Sequence, residues 1–223
     1  MLHKDYIMRM IEQFSNVLAQ IIFNREIKKY ELAESEIRKA YKDLLGSDRE
    51  FVLSLSDDAI LQLFKSSSET GYERCVFIAE LLIEEAQIIE SKGGSACLAS
   101  DLYSKAFNVL AQVVIESKYW RQEAYLQKLN DLTKKIHHND IPANTLFKLF
   151  RFYEISGSFA KAENILFELI DIQFPDIFIE GEQFYQRLLT LTDEELCTGN
   201  LPRDEVYDGL HAIREKSQLN KTS

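Results

Sequence analysis

Glycine and proline are scarce in this sequence, which contains 8 Gly and 3 Pro among 223 residues. Sandwiches, barrels and glycine-looped α/β enzymes need many turn residues, so the shortage disfavours these folds and favours helices. Long apolar runs are also missing, since the longest have about five residues and a membrane span needs roughly 20. No segment alternates apolar and polar residues in the manner of a strand. We therefore predict an all-α fold and no membrane partner.

Positive charge is in deficit, because the formal net charge is −10 at pH 7. The averaged field of such a chain repels nucleic acid, which binds proteins through Lys and Arg, so we expect no nucleic-acid partner. The first residues carry charges at Lys4, Asp5, Arg9 and Glu12, which leave no apolar segment for a signal peptide. The expected location is the cytoplasm.

The three cysteines form no C-x-x-C motif, which suits a reducing compartment. Cys75 and Cys97 fall near the starts of two successive antiparallel helices, and a rise of about 1.5 Å per residue separates them by roughly 25 Å. We expect buried thiols there rather than a disulfide. Cys197 lies beside no obvious base, so ordinary packing is favoured over a nucleophilic role.

Catalytic signatures are missing as well. The sequence contains no G-x-x-x-x-G-K-[ST], G-x-G-x-x-G, H-E-x-x-H or G-x-S-x-G motif, and no His has a Glu three residues before it. One cluster, His137, His138 and Asp140, has the ligand types of a metal site, but adjacent helical side chains point about 100° apart. We interpret these histidines as cations at a helix C-terminus. The sequence thus predicts no enzyme, no cofactor and no metal.

Two further groups of residues admit both a functional and a structural interpretation. Glu80, Glu84 and Glu85 resemble paired carboxylates for acid–base chemistry, but the first two are spaced as on a solvated helix face, with no neighbour that would raise a pKa. Trp120 is either an exposed anchor for a partner or an aromatic side chain tucked under a helix end. We favour the solvated face and the tucked ring.

Helical periodicity is what the sequence has in abundance. Gly46, Gly93 and Gly157 separate consecutive segments, as expected of residues that adopt the left-handed conformation after a last helical turn. Ser56 before two aspartates and Thr192 before an acidic run predict two short capped helices. The pattern predicts about 10–11 helices in total. The longer ones span 4–24, 29–45, 72–92, 96–117, 120–137, 143–156, 159–173, 177–189 and 202–216.

Three of the predicted helices share one spacing. An alanine lies three positions after a first residue, and a large residue lies seven positions after that same first residue. The central alanines, Ala33, Ala99 and Ala162, are 66 and 63 residues apart. A small residue at this place makes a notch that the partner helix can approach, so the spacing predicts antiparallel pairs that stack on one another. The three sets are Tyr30, Ala33, Ile37, Ala40; Ala96, Ala99, Tyr103, Ala106; and Phe159, Ala162, Leu166, Leu169.

The segment from Leu146 to Leu166 resembles the tetratricopeptide repeat. That family has a series of large residues followed by a glycine, an aromatic residue, an alanine and a further large residue. The matching residues here are Leu146, Leu149, Tyr153, Gly157, Phe159, Ala162 and Leu166. Phe150 and Leu169 stand where the repeat family has small residues, and Pro175 lies one position later than the proline of the family. Over nearly its full length the chain is also similar to a family of Firmicutes proteins of unknown function with a repeat-like helical core.

These resemblances imply an irregular tetratricopeptide-like α-α superhelix of stacked antiparallel helix pairs, in a bacterial protein. The best repeat match covers 143–175, and weaker matches cover 79–108 and 14–42. We expect a single helical-repeat domain over 1–216 and a frayed tail at 217–223.

Stacked pairs of this kind present a concave surface of first helices, so the resemblance implies a non-catalytic scaffold that binds a protein or peptide partner. The family's groove positions correspond here to Asn144, Phe147, Arg151, Glu80, Ile83 and Gln87. The alternatives are a peptide-sensing regulatory protein that closes on its ligand, or an enzyme whose site is built across helices. An open apolar groove favours the scaffold, and a polar, partly enclosed pocket with a shifted pKa favours the enzyme.

The first predicted helix carries an apolar stripe that must be covered. Either later helices of the chain or a second copy can cover it, so the sequence allows a homodimer through the N-terminal helix. The stripe consists of Ile7, Ile11, Phe14, Leu18 and Ile21.

Overall fold

The structure is a computed structural model that describes the backbone of residues 2–66, 71–136 and 141–222, with side chains in 7–65, 71–136 and 141–218. Within these residues the chain forms twelve α-helices, one short 3-10 helix at Lys118–Trp120 and no strand. The prediction of an all-α fold is confirmed. The helices are α1 (Leu2–Glu26), α2 (Tyr30–Leu45), α3 (Arg49–Ser54), α4 (Asp57–Ser66), α5 (Gly71–Ser91), α6 (Ala96–Glu116), α7 (Glu123–Thr133), α8 (Ala143–Ile155), α9 (Phe159–Asp171), α10 (Ile177–Leu188), α11 (Asp193–Thr198) and α12 (Arg203–Thr222).

The predicted start and stop signals determine several helix ends. Gly46 follows α2 with φ of 67°, and its N–H donates to the Lys42 carbonyl. The Ser56 hydroxyl accepts the Ala59 N–H at 3.2 Å, and Thr192 forms the predicted capping box at the start of α11. The sequence missed α3 and the 3-10 helix, and it ended α12 at 216, whereas this helix runs to Thr222.

Contacts divide the chain into two compact units, residues 1–138 and residues 139–223. The prediction of one domain over 1–216, with its pairs wound into a superhelix, stays a prediction.

In the first unit, α5 and α6 form a long antiparallel pair, and α5 also packs against α1, α2 and α4. The side of α5 toward α1 is closed by Phe14 and Phe77, whose rings stack with centroids 3.9 Å apart. Fourteen residues of α5 are buried, three of them glutamates. A helix buried on most sides lies in the middle of its unit, so polar groups on α5 need partners from the surrounding helices.

The predicted alanine notches are confirmed. Ala33, Ala99 and Ala162 are each at most 2% exposed, and each lies on the second helix of a packed pair. The pairs are α1 with α2, α5 with α6, and α8 with α9. Small side chains at these positions let the two backbones approach, as the spacing indicated.

In the second unit, α8 pairs with α9, and α10 pairs with α12. Two glycines lie in the α10–α12 contact, each opposite a large side chain of the other helix. A Cβ at Gly181 would lie 2.6 Å from the Ile213 side chain, and a Cβ at Gly209 would lie 2.3 Å from the Tyr185 hydroxyl. The register is therefore reciprocal and antiparallel, and it was not predicted from the sequence.

The apolar stripe of α1 is partly covered within its own unit. Phe14 and Ile21 are buried, while Ile7, Ile11 and Leu18 are half-buried, because α2 and α5 pack against this helix. The homodimer through this helix stays a prediction. None of the helices in the described ranges combines the length and the apolar character needed to cross a membrane.

The cysteine predictions hold for one residue of three. Cys75 is buried as expected, and burial raises the pKa of its thiol to about 12. The prediction of a buried Cys97 is wrong, because residues 91–98 at the end of the α5–α6 hairpin are all exposed. Packing was also expected for Cys197, but this residue lies exposed on α11.

Candidate functional site

A groove in the first unit runs between α1 and α7, with α5 as its floor. It encloses about 420 Å³ and is lined by Leu18, Ile22, Glu80, Ile83, Glu84, Gln87, Tyr103, Ala124, Gln127, Lys128, Asp131, Leu132 and Lys135. We call it the α1–α5–α7 groove. Its size is within the range of about 300–1,000 Å³ that ligand sites in proteins occupy.

The walls of the α1–α5–α7 groove are partly apolar. Leu18 and Ile22, one helical turn apart on α1, form one wall, and Leu132 on α7 contributes to the other. Leu18 and Ile22 are half-buried, so one residue of the α1 stripe, Leu18, and its neighbour Ile22 face this groove. The sequence showed the stripe through its i, i+4 spacing but gave no sign that it lines a groove.

The floor carries two buried carboxylates that connect it to both walls. Glu84 accepts a hydrogen bond from Arg25 Nε of α1 at 2.9 Å, and Glu80 pairs with Lys128 of α7. The side chains of Glu80 and Glu84 are one turn apart and bind in opposite directions across the groove. The predicted solvated face is therefore wrong, since both carboxylates are buried and paired with cations of other helices.

Burial also changes the acidity of the floor. It raises the pKa of Glu84, and the hydrogen bond from Arg25 opposes that rise without cancelling it. The expectation that no neighbour would raise a pKa on this helix is wrong for a simple reason. Desolvation by the packed helices disfavours the charged form, whether or not another acid lies nearby.

Two amide side chains in the groove have hydrogen-bonding capacity to spare. Gln87 makes no hydrogen bond to any residue within the described ranges, and Gln127 donates only a long 3.3 Å bond to Asp131. An amide offers donors and an acceptor together, which is the combination that a peptide group requires from its partner. At the end of the groove, Tyr103 and Lys135 both bind Glu90.

The structure places the predicted partner-binding residues in two sets. Glu80, Ile83 and Gln87 all line the α1–α5–α7 groove. The other three lie on α8 in the second unit, where Asn144 is exposed and Phe147 stacks on Phe174 with ring centroids 5.2 Å apart. Arg151 lies 3.2 Å from Glu154 and 3.6 Å from Glu180. Internal contacts thus occupy two of the three α8 residues, and partner binding at all six positions stays a prediction.

A second pocket in the first unit lies between α2, α3 and α5. It encloses about 250 Å³ and is lined by Glu34, Ile37, Arg38, Arg49, Glu85, Ile88 and Ile89. We call it the α2–α3–α5 pocket. Glu85 is 5% exposed, and its Oε2 accepts hydrogen bonds from Arg49 Nε at 2.9 Å and Nη2 at 2.6 Å. Burial raises the pKa of Glu85, and the guanidinium of Arg49 opposes the rise.

Two candidates from the sequence remain, Trp120 and the histidine cluster. Trp120 is buried as predicted, with edge contacts to the rings of Tyr119 and Tyr125. The segment with His137, His138 and Asp140 lies outside the described residues. Elsewhere in the described chain, no three metal-binding side chains come together.

Comparison with known proteins identifies a family. A protein-family model matches residues 1–218, nearly the whole chain, and its description is that of a family of unknown function. The comparisons with curated proteins and with solved structures gave no match.

Proposed function

Since the chain belongs to the family DUF6483, whose description states no activity, we propose a function from the groove itself: the protein is a non-catalytic scaffold that binds a protein or peptide partner in the α1–α5–α7 groove. The observation that carries the proposal is the combination of half-buried apolar walls with the unbonded amide of Gln87. Apolar surface drives association, and a few polar groups orient the bound chain.

The size of the groove limits what it holds. The groove positions on α5 extend from Glu80 to Gln87, which spans roughly 10 Å of helix at about 1.5 Å per residue. An extended peptide covers that distance with about three residues. The occupant we propose is therefore a short segment that places one or two apolar side chains between Leu18 and Leu132.

The helix pairs themselves also bear on this proposal. We infer that the helix pairs are divergent tetratricopeptide repeats, because buried alanines lie at the repeated positions. A bacterial protein that works in the cytoplasm is consistent with this inference and with the acidic charge of the chain.

A bulky residue in the groove provides the test. We expect Gln87→Trp to weaken capture of the native partner by about tenfold or more, because the indole fills the space that the bound segment needs. Gln20→Trp is the matched control, since Gln20 is exposed on α1 and lies two residues from both Leu18 and Ile22, on the opposite side of that helix. Partners captured from the native cell are quantified by mass spectrometry with all three proteins.

The proposal fails if Gln87→Trp and Gln20→Trp capture the same partners in the same amounts as the unmodified chain. It also fails if no protein or peptide is enriched by any of the three. A circular dichroism spectrum unchanged by Gln87→Trp shows that a loss of capture arises at the groove and not from unfolding.

A further inference from the structure

The α2–α3–α5 pocket has a charge arrangement that neither the helix packing nor the proposed partner binding requires. Two arginines and two glutamates line it, together with an isoleucine wall. Glu34 is neutralised by Lys92, whose Nζ lies 2.8 Å from Glu34 Oε1, and Glu85 is neutralised by Arg49. The fourth charged residue that lines the pocket is Arg38. This arginine has no hydrogen bond or ion pair with any residue in the described ranges.

Arg49 has donors to spare as well. Its Nε and Nη2 both bind Glu85, which fixes the plane of the guanidinium. Its Nη1 lies 3.6 Å from the exposed carboxylate of Glu50, beyond hydrogen-bond distance. Arg49 Nη1, whose one contact to a carboxylate is this 3.6 Å ion pair, and Arg38 therefore bring guanidinium donors without hydrogen bonds to one pocket, in a chain whose formal net charge is −10.

We propose that the α2–α3–α5 pocket binds a small organic carboxylate. A carboxylate accepts parallel hydrogen bonds from guanidinium donors, and its single negative charge can pair with Arg38, which has no ion pair of its own in the described ranges. A dianion such as phosphate would bring a second negative charge close to Glu34 and Glu85. The volume of about 250 Å³ is below the range of about 300–1,000 Å³ for drug-sized ligands, so the ligand is a small acid.

The isoleucines define the other end of the ligand. Ile37, Ile88 and Ile89 line the same pocket, and apolar surface there favours a short hydrocarbon tail beside the carboxylate. A branched acid of the size of isovalerate has both features. Glu85 fixes the guanidinium of Arg49 at this pocket through two hydrogen bonds.

Calorimetric titration of the full chain with isovalerate tests the proposal. We expect saturable binding to one site with a Kd on the order of 1 mM, and no binding of the uncharged amide isovaleramide. Arg38→Gln should weaken isovalerate binding by about tenfold or more, because it removes a charged hydrogen-bond donor from an exposed position on α2. Lys39→Gln is the matched control, since it removes the same charge from the neighbouring residue, which does not line the pocket.

Four results would overturn the proposal: no saturation at isovalerate concentrations of about 10 mM, equal binding of the amide, unchanged affinity in Arg38→Gln, or tighter binding of inorganic phosphate than of isovalerate. The outcome is separate from the partner-binding proposal. Gln87→Trp alters the α1–α5–α7 groove, and Gln87 does not line this pocket.

Discussion

We expect Arg49→Met to lower the free energy of unfolding of the first unit by about 3 kcal/mol, because the substitution leaves the carboxylate of Glu85 buried without a cation. Glu85 is 5% exposed, so water can replace the lost cation only in small part. Arg49 is itself partly exposed, which places the expected loss at the lower end of values for buried pairs.

The double variant Arg49→Met with Glu85→Leu separates loss of the pair from loss of packing. Replacing both partners by apolar side chains of similar volume removes the unpaired charge, so we expect this protein to recover most of the lost stability. Urea unfolding followed by the fluorescence of Trp120 measures the effect, because Trp120 is the single tryptophan of the chain and is buried in this unit. Equal losses in the single and double variants would contradict the prediction.

The loss of stability that Arg49→Met causes should also depend on pH. Burial raises the folded-state pKa of Glu85 already in the unmodified chain, and removing the opposing guanidinium raises it further. A carboxyl whose folded pKa is raised stabilises the fold fully below its unfolded pKa of about 4.3, and that contribution is lost as the pH rises through the folded pKa. Arg49→Met should therefore lose stability relative to the double variant, in which this carboxyl is absent, as the pH rises above the unfolded pKa of about 4.3 and through the raised folded pKa of Glu85. If the free energies of unfolding of the two variants change with pH in parallel, this prediction is wrong.

The parts of the fold that follow from short-range patterns were predictable. The cap at Ser56, the left-handed Gly46 and the alanine notches at Ala33, Ala99 and Ala162 each involve residues within one or two helical turns. Such signals depend on backbone geometry and on the period of the helix, which a sequence displays directly. The resemblance to the tetratricopeptide repeat supplied Glu80, Ile83 and Gln87 as groove positions, and these three residues of α5 line one groove.

The chemistry of the buried charges was not predictable in this way. Glu84 and Glu85 are paired with arginines 59 and 36 residues earlier in the chain, and Glu80 is paired with a lysine 48 residues later. Whether a glutamate on a helix is solvated or buried depends on which distant helix covers it, and no local pattern shows that. The same limit concealed both pockets, because each is lined by helices that are separate in the sequence.

A substitution of glycine by alanine should show how far packing overrides local propensity in the second unit. Alanine is favoured over glycine inside a helix by about 1 kcal/mol, so the sequence alone predicts that Gly209→Ala stabilises α12. The structure predicts the opposite. A Cβ at position 209 would lie 2.3 Å from the Tyr185 hydroxyl oxygen and 2.4 Å from Cζ of the same ring. Carbon atoms in contact prefer separations of about 3.5–4.0 Å, so the two helices must move apart.

We expect Gly209→Ala to lower the free energy of unfolding by about 2–3 kcal/mol, in the upper part of the range of about 1–3 kcal/mol for adding a methyl group to a packed contact. Tyr185 has no alternative position, because it is fully buried and its hydroxyl donates to Glu163 at 2.6 Å. In the background Tyr185→Leu the ring is gone, and the same glycine substitution should become neutral or stabilising. Urea unfolding followed by circular dichroism, with amide exchange in α10 and α12, measures both effects. If Gly209→Ala stabilises the unmodified chain, then α10 and α12 do not pack at this distance, and the reciprocal register of Gly181 and Gly209 is wrong.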